Sequence, residues 1–504
     1  MHNRLLFYNT ISALTFQITT ILCGFILPKL VLVYFGSDIN GLINSVGQFL
    51  GVISFFELGI GAVIQTSLYK PLADNDLIGT SKVISSANRF FRKLGYALLI
   101  YVGVVVCLYP VLVNQKFSFG FIASLIVAMS IRFFAQYFFG IVNRLLLIAD
   151  QKAYIQYNAQ TIAVIVNTIA CYILMKFDCS VQIIYGTTSL IFLIQSALIH
   201  LYIRKKYSIS RNITYKVEPI KQKWNGVAQH IAAFVLDGTD IVVLSLFSTL
   251  NNVSIYSVYI LVIKGVKQLF LSMISGFDAL IGNLWAKQEL EELKRFFSWT
   301  EWILHTTVIF FFTVTAVLIV PFVEVFTLGI SDADYFQPIF GVTIVLAYAI
   351  YCLSLPYLIM ILAVGHYKQT QYKFVVAAVI NIVLSVICVK QFGLIGVALG
   401  TLAAMVYQTV WMAWYNSKNF IQWPMKNFFK QIGVDAVSAV GIAFFTSCFA
   451  LSSVNYISWI VLSIKVTIVG LLVIVAVNAF FYRSYIKILF SKMRKLWERL
   501  SKNG

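Results

Sequence analysis

The residues able to do chemistry in this sequence are charged side chains embedded in long apolar stretches. Asp237 and Asp240 stand three apart in one stretch, and Lys264 and Lys267 stand three apart in the next. On helices, each pair shares a face. The turn between the two stretches falls near Asn251. Counted outward from that turn at about 1.5 Å per residue, the acidic and basic pairs reach nearly the same depth on antiparallel helices. His230 lies seven residues before Asp237, two turns away on the same face. Ionisable groups at membrane depth are costly and mark substrate or ion pathways. Two readings are open. The four charges form a static salt-bridge ladder that neutralises them for insertion, or the lysines line a cavity and hold an anion, with the aspartates as competing partners. A ladder that opens when an anion competes for the lysines is also a gate.

Further charges extend the set. Arg132 falls near the middle of its apolar stretch, where snorkelling to the interface is hard. Lys29 follows Pro28 close to the outer end of the first stretch, where snorkelling is an equal account. Glu57 lies toward the inner half of the second stretch and pairs with a neighbouring base or serves coupling. Asp278 and Lys465 are weaker candidates. Pro28 and Pro356 interrupt apolar stretches, and each removes a backbone hydrogen bond, which makes a hinge or a packing kink. Enzyme signatures are missing. There is no GxxxxGK[ST] phosphate loop and no HExxH pair. The five histidines form no ligand-like cluster, and the seven cysteines show no CxxC spacing. Gly59 and Gly61 make a lone GxG inside a helix, which suits helix packing. No cofactor and no metal are implied. A membrane enzyme using a carboxylate and a histidine from separate stretches stays open, but the large loops such enzymes use are missing.

The elements that must position these residues are transmembrane helices. The 504 residues are 60% hydrophobic and 11% charged, against roughly a quarter charged in ordinary globular proteins. Apolar stretches of about 20 residues recur from 11–34 to 457–481, about fourteen in all, each long enough to cross a bilayer core. The net charge of +19 is topology rather than nucleic-acid binding. With the N-terminus in the cytoplasm and sides alternating, Lys116, Lys176 and Lys390 are the bases on the opposite side. Lys29, Arg132, Lys264, Lys267 and Lys465 lie within stretches, and the remaining bases fall inside. That bias is the positive-inside rule, and it places both termini in the cytoplasm. The long first stretch has no small-residue cleavage site and does not read as a signal peptide.

Two internal similarities share nearly one offset. Tyr34–Asn40 pairs with Leu246–Asn252, and Gln156-Tyr157 pairs with Gln371-Tyr372. They imply a repeat of six helices in parallel topology. The expected organisation is a bundle over 1–203, a basic cytoplasmic linker over 204–226 and a second bundle over 227–416. An extra helix pair over 417–481 and a basic amphipathic tail over 482–504 follow. Between Asn283 and Trp299, Leu290, Leu293 and Phe297 follow helical spacing. In the tail, Ile486, Leu489, Met493, Leu496 and Leu500 make an apolar stripe beside five basic residues, which suits an anionic membrane surface or a partner.

The stretch Gly41–Leu72, with Phe-Glu-Leu-Gly-Ile-Gly at 56–61 before a basic connection, resembles the second-helix region of the polysaccharide-transporter branch of the multidrug/oligosaccharidyl-lipid/polysaccharide exporter superfamily, including Wzx-type flippases. The span count and the six-plus-six-plus-two layout extend the resemblance over nearly the whole chain. The resemblance implies an all-α polytopic membrane protein with two six-helix bundles around a central cavity and a C-terminal helix pair. It implies alternating access, with an undecaprenyl-pyrophosphate-linked oligosaccharide carried from the inner to the outer leaflet of a bacterial cell membrane. A polysaccharide polymerase or other assembly protein is a possible partner; nucleic acid is not. By depth, Arg132, Lys264, Lys267 and Lys29 are candidates for the pyrophosphate, and Asp237, Asp240, His230 and Glu57 for coupling or gating. A lipid II flippase, an ion-coupled multidrug exporter of the same superfamily and a membrane glycosyltransferase or polymerase are the alternatives. The enzyme needs an acidic catalytic loop, and the outer acidic residues Glu324, Asp332 and Asp334 read as solvent-facing.

Overall fold

Polar residues at the ends of apolar runs decide where the helices stop. A computed structural model describes residues 2–113, 116–210, 213–215, 217–220, 227–274, 277–487 and 491, without the side chains of 2–3, 53, 55–59, 227–234 and 278–279. The described residues are helices and their connections, with no strand among them. In chain order the helices are α1 (His2–Gly51), α2 (Phe55–Ala73), α3 (Leu77–Leu112), α4 (Phe119–Ala135), α5 (Ile141–Ala149), α6 (Ala153–Lys176), α7 (Val181–Lys206) and α8 (Val227–Phe247). Then come α9 (Leu250–Ile274), α10 (Phe277–Ala286), α11 (Leu290–Phe326), α12 (Pro338–Leu353), α13 (Leu355–Val364), α14 (Tyr367–Asn419), α15 (Met425–Thr446) and α16 (Tyr456–Phe481). A 3₁₀ turn (Val52–Ser54) joins α1 to α2, and a π turn (Gln136–Gly140) joins α4 to α5.

Caps mark the starts. Asp76, Ser118 and Asn455 each accept a hydrogen bond from a first-turn amide, those of Gly79, Phe121 and Ser458, which satisfies donors the helix leaves open. Tight reversals use residues with positive φ: Asn75, Gln151, Asp178, Gln288 and Gln422. Two helices bend at glycine. In α1 the break is Gly36, with φ 78° and ψ −179°, a conformation essentially confined to glycine. The break in α14 is Gly393, with φ 53° and ψ −123°.

Eleven helices among the described residues are long and apolar enough to cross a membrane, counting the bent ones once. Their burial is inverted relative to a water-soluble protein. Ile11, Leu14, Ile18, Leu22 and Ile26 make an exposed stripe along α1, whereas Ser37, Asn40 and Ser45 on the same helix are buried. Apolar outside and satisfied polar groups inside is the arrangement a bilayer imposes. The chain is an all-α polytopic membrane protein.

By contact the chain forms two compact units. The first comprises 1–257 and 330–333; the second comprises 258–329 and 334–504. In the first unit the core runs through Leu42, Val46, Leu50, Phe91, Leu125, Ile126 and Leu147. The half of α1 after Gly36 packs closely there: Asn40 Nδ2 donates to Ser254 Oγ at 2.7 Å, and Ser45 Oγ meets Ser245 Oγ at 2.6 Å. A Cβ on Gly41 would stand 1.9 Å from the Leu250 carbonyl oxygen, so glycine is required at that approach. Thus the similar segments Tyr34–Asn40 and Leu246–Asn252 both lie at helix breaks and adjoin one another. In the second unit, α12 and α13 are enclosed, with 78% of their most apolar window buried against 11% for α1. The final pair, α15 and α16, packs on α11. Of the residues proposed to form a helical connection at 283–299, Leu293 and Phe297 are buried and Leu290 is exposed. Of the tail stripe, Leu489, Met493, Leu496 and Leu500 lie outside the described residues.

Candidate functional site

Arg132 sits near the C-terminal end of α4 but in the middle of a longer span, because the π turn carries the helix on through α5 to Ala149. That turn has a geometric effect. Arg132 and Arg144 are twelve residues apart, and in an unbroken α-helix they would be about 120° out of phase. The π turn winds more slowly per residue and takes up part of the offset. Both guanidinium-bearing residues line one pocket of about 330 Å³ in the first unit. Gln136 of the π turn, Gln156 and Gln160 of α6, and Gln195 and Ser196 of α7 complete its polar lining, with Phe133 and Phe192 on the apolar side. The Arg132 guanidinium also lies over the Phe133 ring, 4.8 Å from its centroid. Guanidinium groups offer forked donors suited to phosphate oxygens, and carboxamides both donate and accept, as hydroxyl-rich ligands require.

A second pocket, of about 250 Å³, adjoins the end of α7 and is lined by His200, Ile203, Arg204, Tyr207 and Ile209. Beside it Asp150 accepts hydrogen bonds from Lys152 Nζ at 2.6 Å and from the Tyr207 hydroxyl. Burial, then the Asp150 carboxylate, push the Tyr207 phenol well up, so it stays a hydrogen-bond donor at any ordinary pH.

The other sequence-derived candidates fall as follows. Asp240 is buried on α8 and accepts from the Tyr256 hydroxyl at 2.7 Å; Asp237, one turn earlier, is half-buried. Both belong to the first unit. Lys264 and Lys267 belong to the second. Lys264 is half-buried, and Lys267 is buried with its ammonium 4.3 Å from the Tyr351 ring centroid and 5.3 Å from that of Tyr348. Those rings are a low-entropy way of holding a desolvated cation. Lys29 is half-buried on α1. The side chains of His230, Glu57 and Asp278 lie outside the described residues; Lys465 is exposed. Pro28 lies within α1, eight residues before the break at Gly36. Pro356 stands in the first turn of α13, at the break from α12.

Sequence reasoning missed two groups. From sequence alone Arg144 reads as a base of the connection after the fourth apolar stretch, and the π turn helps bring it to the pocket. In the second unit Glu301 and His305 of α11 are buried against Asp435 of α15, with His305 Nδ1 2.7 Å from Asp435 Oδ2. The four-residue spacing of Glu301 and His305 was visible; the partner on α15 was not. Among the described residues no cluster of His, Cys, Asp and Glu has a metal-binding arrangement.

This architecture is found in solved transporters. The structure of the lipid II flippase MurJ in an inward closed conformation superposes with a TM-score of 0.66 at 17% identity, covering 95% of this chain and 99% of that one. The fold is that of MurJ and the MATE transporters. An inward-facing multidrug resistance MATE transporter of the MOP superfamily matches with a TM-score of 0.60 at 15% identity, over 79% of this chain and 94% of its own. A Vibrio cholerae MATE transporter matches with a TM-score of 0.56 at 12% identity, over 82% and 100%. No protein-family model and no curated protein sequence matches the chain. The MurJ-like fold agrees with the superfamily that the sequence resembles, at the level of architecture.

Proposed function

We propose that this protein is a flippase that moves an undecaprenyl-pyrophosphate-linked oligosaccharide repeat unit from the inner to the outer leaflet by alternating access, for surface polysaccharide export. The observation that carries the proposal is the pocket holding Arg132 and Arg144 beside Gln136, Gln156, Gln160 and Gln195. Paired guanidinium groups suit a diphosphate, and a carboxamide lining suits sugar hydroxyls. Lys29, Lys264 and Lys267 are assigned to further cargo phosphate contacts. Asp237, Asp240, His230 and Glu57 are assigned to coupling or gating, and Pro28 and Pro356 to hinges. We place about fourteen spans in the bacterial cell membrane, with both termini cytoplasmic, repeat-related bundles over 1–203 and 227–416, and a polymerase as an assembly partner. The cycle involves no covalent catalysis and no cofactor.

A second reading is a lipid II flippase, favoured by the likeness to MurJ over 95% of the chain, against 79% for the MATE transporter. Mass spectrometry of lipid extracts, from cells with and without the protein and lacking a redundant flippase, separates the readings. Accumulation of a lipid-linked repeat unit together with loss of the matching surface polymer is the expected result. Accumulation of the cell-wall precursor selects lipid II, and unchanged lipid-linked sugars in cells that make them would overturn both.

A further inference from the structure

The second unit encloses three titratable groups that the cargo site does not use. Glu301 and His305 are one helical turn apart on α11, and Asp435 approaches from α15; their exposures are 3%, 0% and 4%. Asp435 Oδ2 is 2.7 Å from His305 Nδ1, and Asp435 Oδ1 accepts from Gln431 Nε2 at 3.0 Å. Glu301 accepts from the Tyr357 hydroxyl of α13 at 2.5 Å and from Trp423 Nε1 at 2.9 Å. The Leu353 carbonyl also faces the imidazole, while His305 Nε2 makes no hydrogen bond. From the end of α16, Tyr482 faces both carboxyl groups, and Lys430 lies over the Tyr482 ring.

The charge balance of this cluster turns on one proton. With His305 as imidazolium against an ionised Asp435, an ionised Glu301 leaves one net negative charge in an enclosed site, which is strongly unfavourable. A protonated Glu301 makes the site neutral. Against that stands the donation of two hydrogen bonds to Glu301, which favours its ionised form. The two charge states of the cluster differ by that one proton. Trp423, half-buried, lies between the exposed residues Gln422 and Pro424 in the connection from α14 to α15.

We propose that Glu301 and His305, with Asp435 as the imidazole's partner, form a single proton-binding site, and that it supplies the coupling ion for transport. The coupling half rests on the transport reading; the proton site does not. It is a different set from Asp237 and Asp240 of α8, which belong to the first unit. Infrared spectroscopy of the full-length protein in lipid nanodiscs, titrated with pH, tests the site. The expected result is a protonated-carboxyl band that titrates together with an imidazole band, is lost in E301Q, and in D435N has its midpoint displaced by at least tenfold in proton concentration. Y357F, which deletes one donor to the ionised Glu301, should move the midpoint to higher pH, and it carries the test should the carboxyl variants not fold. No titrating carboxyl band, or a midpoint unmoved by Y357F, overturns the proton site. For coupling, a protonophore and E301Q should each cause the same lipid-linked saccharide to accumulate in cells. Accumulation in the knockout without accumulation in E301Q overturns coupling while leaving the cargo reading intact; no accumulation in the knockout, with a normal infrared titration, overturns the cargo reading and the coupling built on it while leaving the proton site intact.

Discussion

Arg132 and Arg144 share a pocket, and each should matter to a phosphate-bearing ligand through directed hydrogen bonds as well as charge. Arg144→Gln is expected to weaken transport about tenfold or more, since hydrogen bonds to charged groups contribute roughly 1.5–3 kcal/mol. Arg144→Lys should restore little of it, because an ammonium lacks the planar fork. Initial rates of cargo flipping in reconstituted vesicles check both. At Lys264 and Lys267, removing both charges together should impair transport without preventing insertion; normal transport by that double variant would sink their cavity role. A third expectation concerns Tyr256, whose hydroxyl donates to the buried Asp240. Tyr256→Phe leaves that carboxylate with one donor fewer and should cost about 1–3 kcal/mol of stability, read as a lower thermal midpoint in detergent.

Which of these residues the sequence made legible follows a physical rule. Arg132, Asp240 and Lys267 stand out because a charge amid twenty apolar residues is costly wherever it points. Arg144 does not, because its place in the pocket depends on a change of helical pitch that composition does not encode. Nor does the pairing of His305 with Asp435, which are separated by 130 residues and meet only through helix packing.

At the scale of the elements, the helices themselves were legible from hydropathy, and the glycines that bend them were not. Gly36 shows what one such bend requires. Beyond its positive φ, a Cβ there would lie 2.7 Å from Asp332 Oδ2. Asp332 is the residue that closes the break, accepting from the Ser37 amide at 2.7 Å and from its hydroxyl at 2.6 Å. It is exposed, as expected of the outer acidic residues, yet it is a structural clasp as well. Gly36→Ala should therefore cost about 1–3 kcal/mol from backbone strain alone, and Asp332→Ala a similar amount from two lost hydrogen bonds. Thermal unfolding of each variant checks the pair. In α14 the arms on either side of Gly393 pack through Gly396 and Gly400, where a Cβ would stand 2.4 Å from the Cys388 carbonyl oxygen and 2.2 Å from Ser385 Oγ. This small-xxx-small spacing allows backbones to touch. Gly400→Leu is expected to separate the arms and abolish the buried bond from Asn381 to Thr401, 3.0 Å long, with loss of monodisperse protein on size-exclusion chromatography.

For the whole molecule, the C-terminal pair is part of the second unit's core rather than an appendage. Trp302 Nε1 donates to Asn478 Oδ1 at 2.8 Å, and His305 depends on Asp435. A chain ending at Asn419 would leave both partners of α11 missing, with polar groups facing lipid that cannot satisfy them. It should be made but degraded, as pulse-chase labelling would reveal. The π turn at 136–140 bears on a different property, tolerance to changes in length. A π turn contains one residue more than the α-helical turn it replaces, so this span carries a spare residue. Deleting one position within it should return a continuous α-helix that still crosses the bilayer and still inserts. The same deletion would leave Arg132 and Arg144 eleven residues apart, about 20° out of phase in an unbroken α-helix, so the span and the shared face of its two arginines would both survive it.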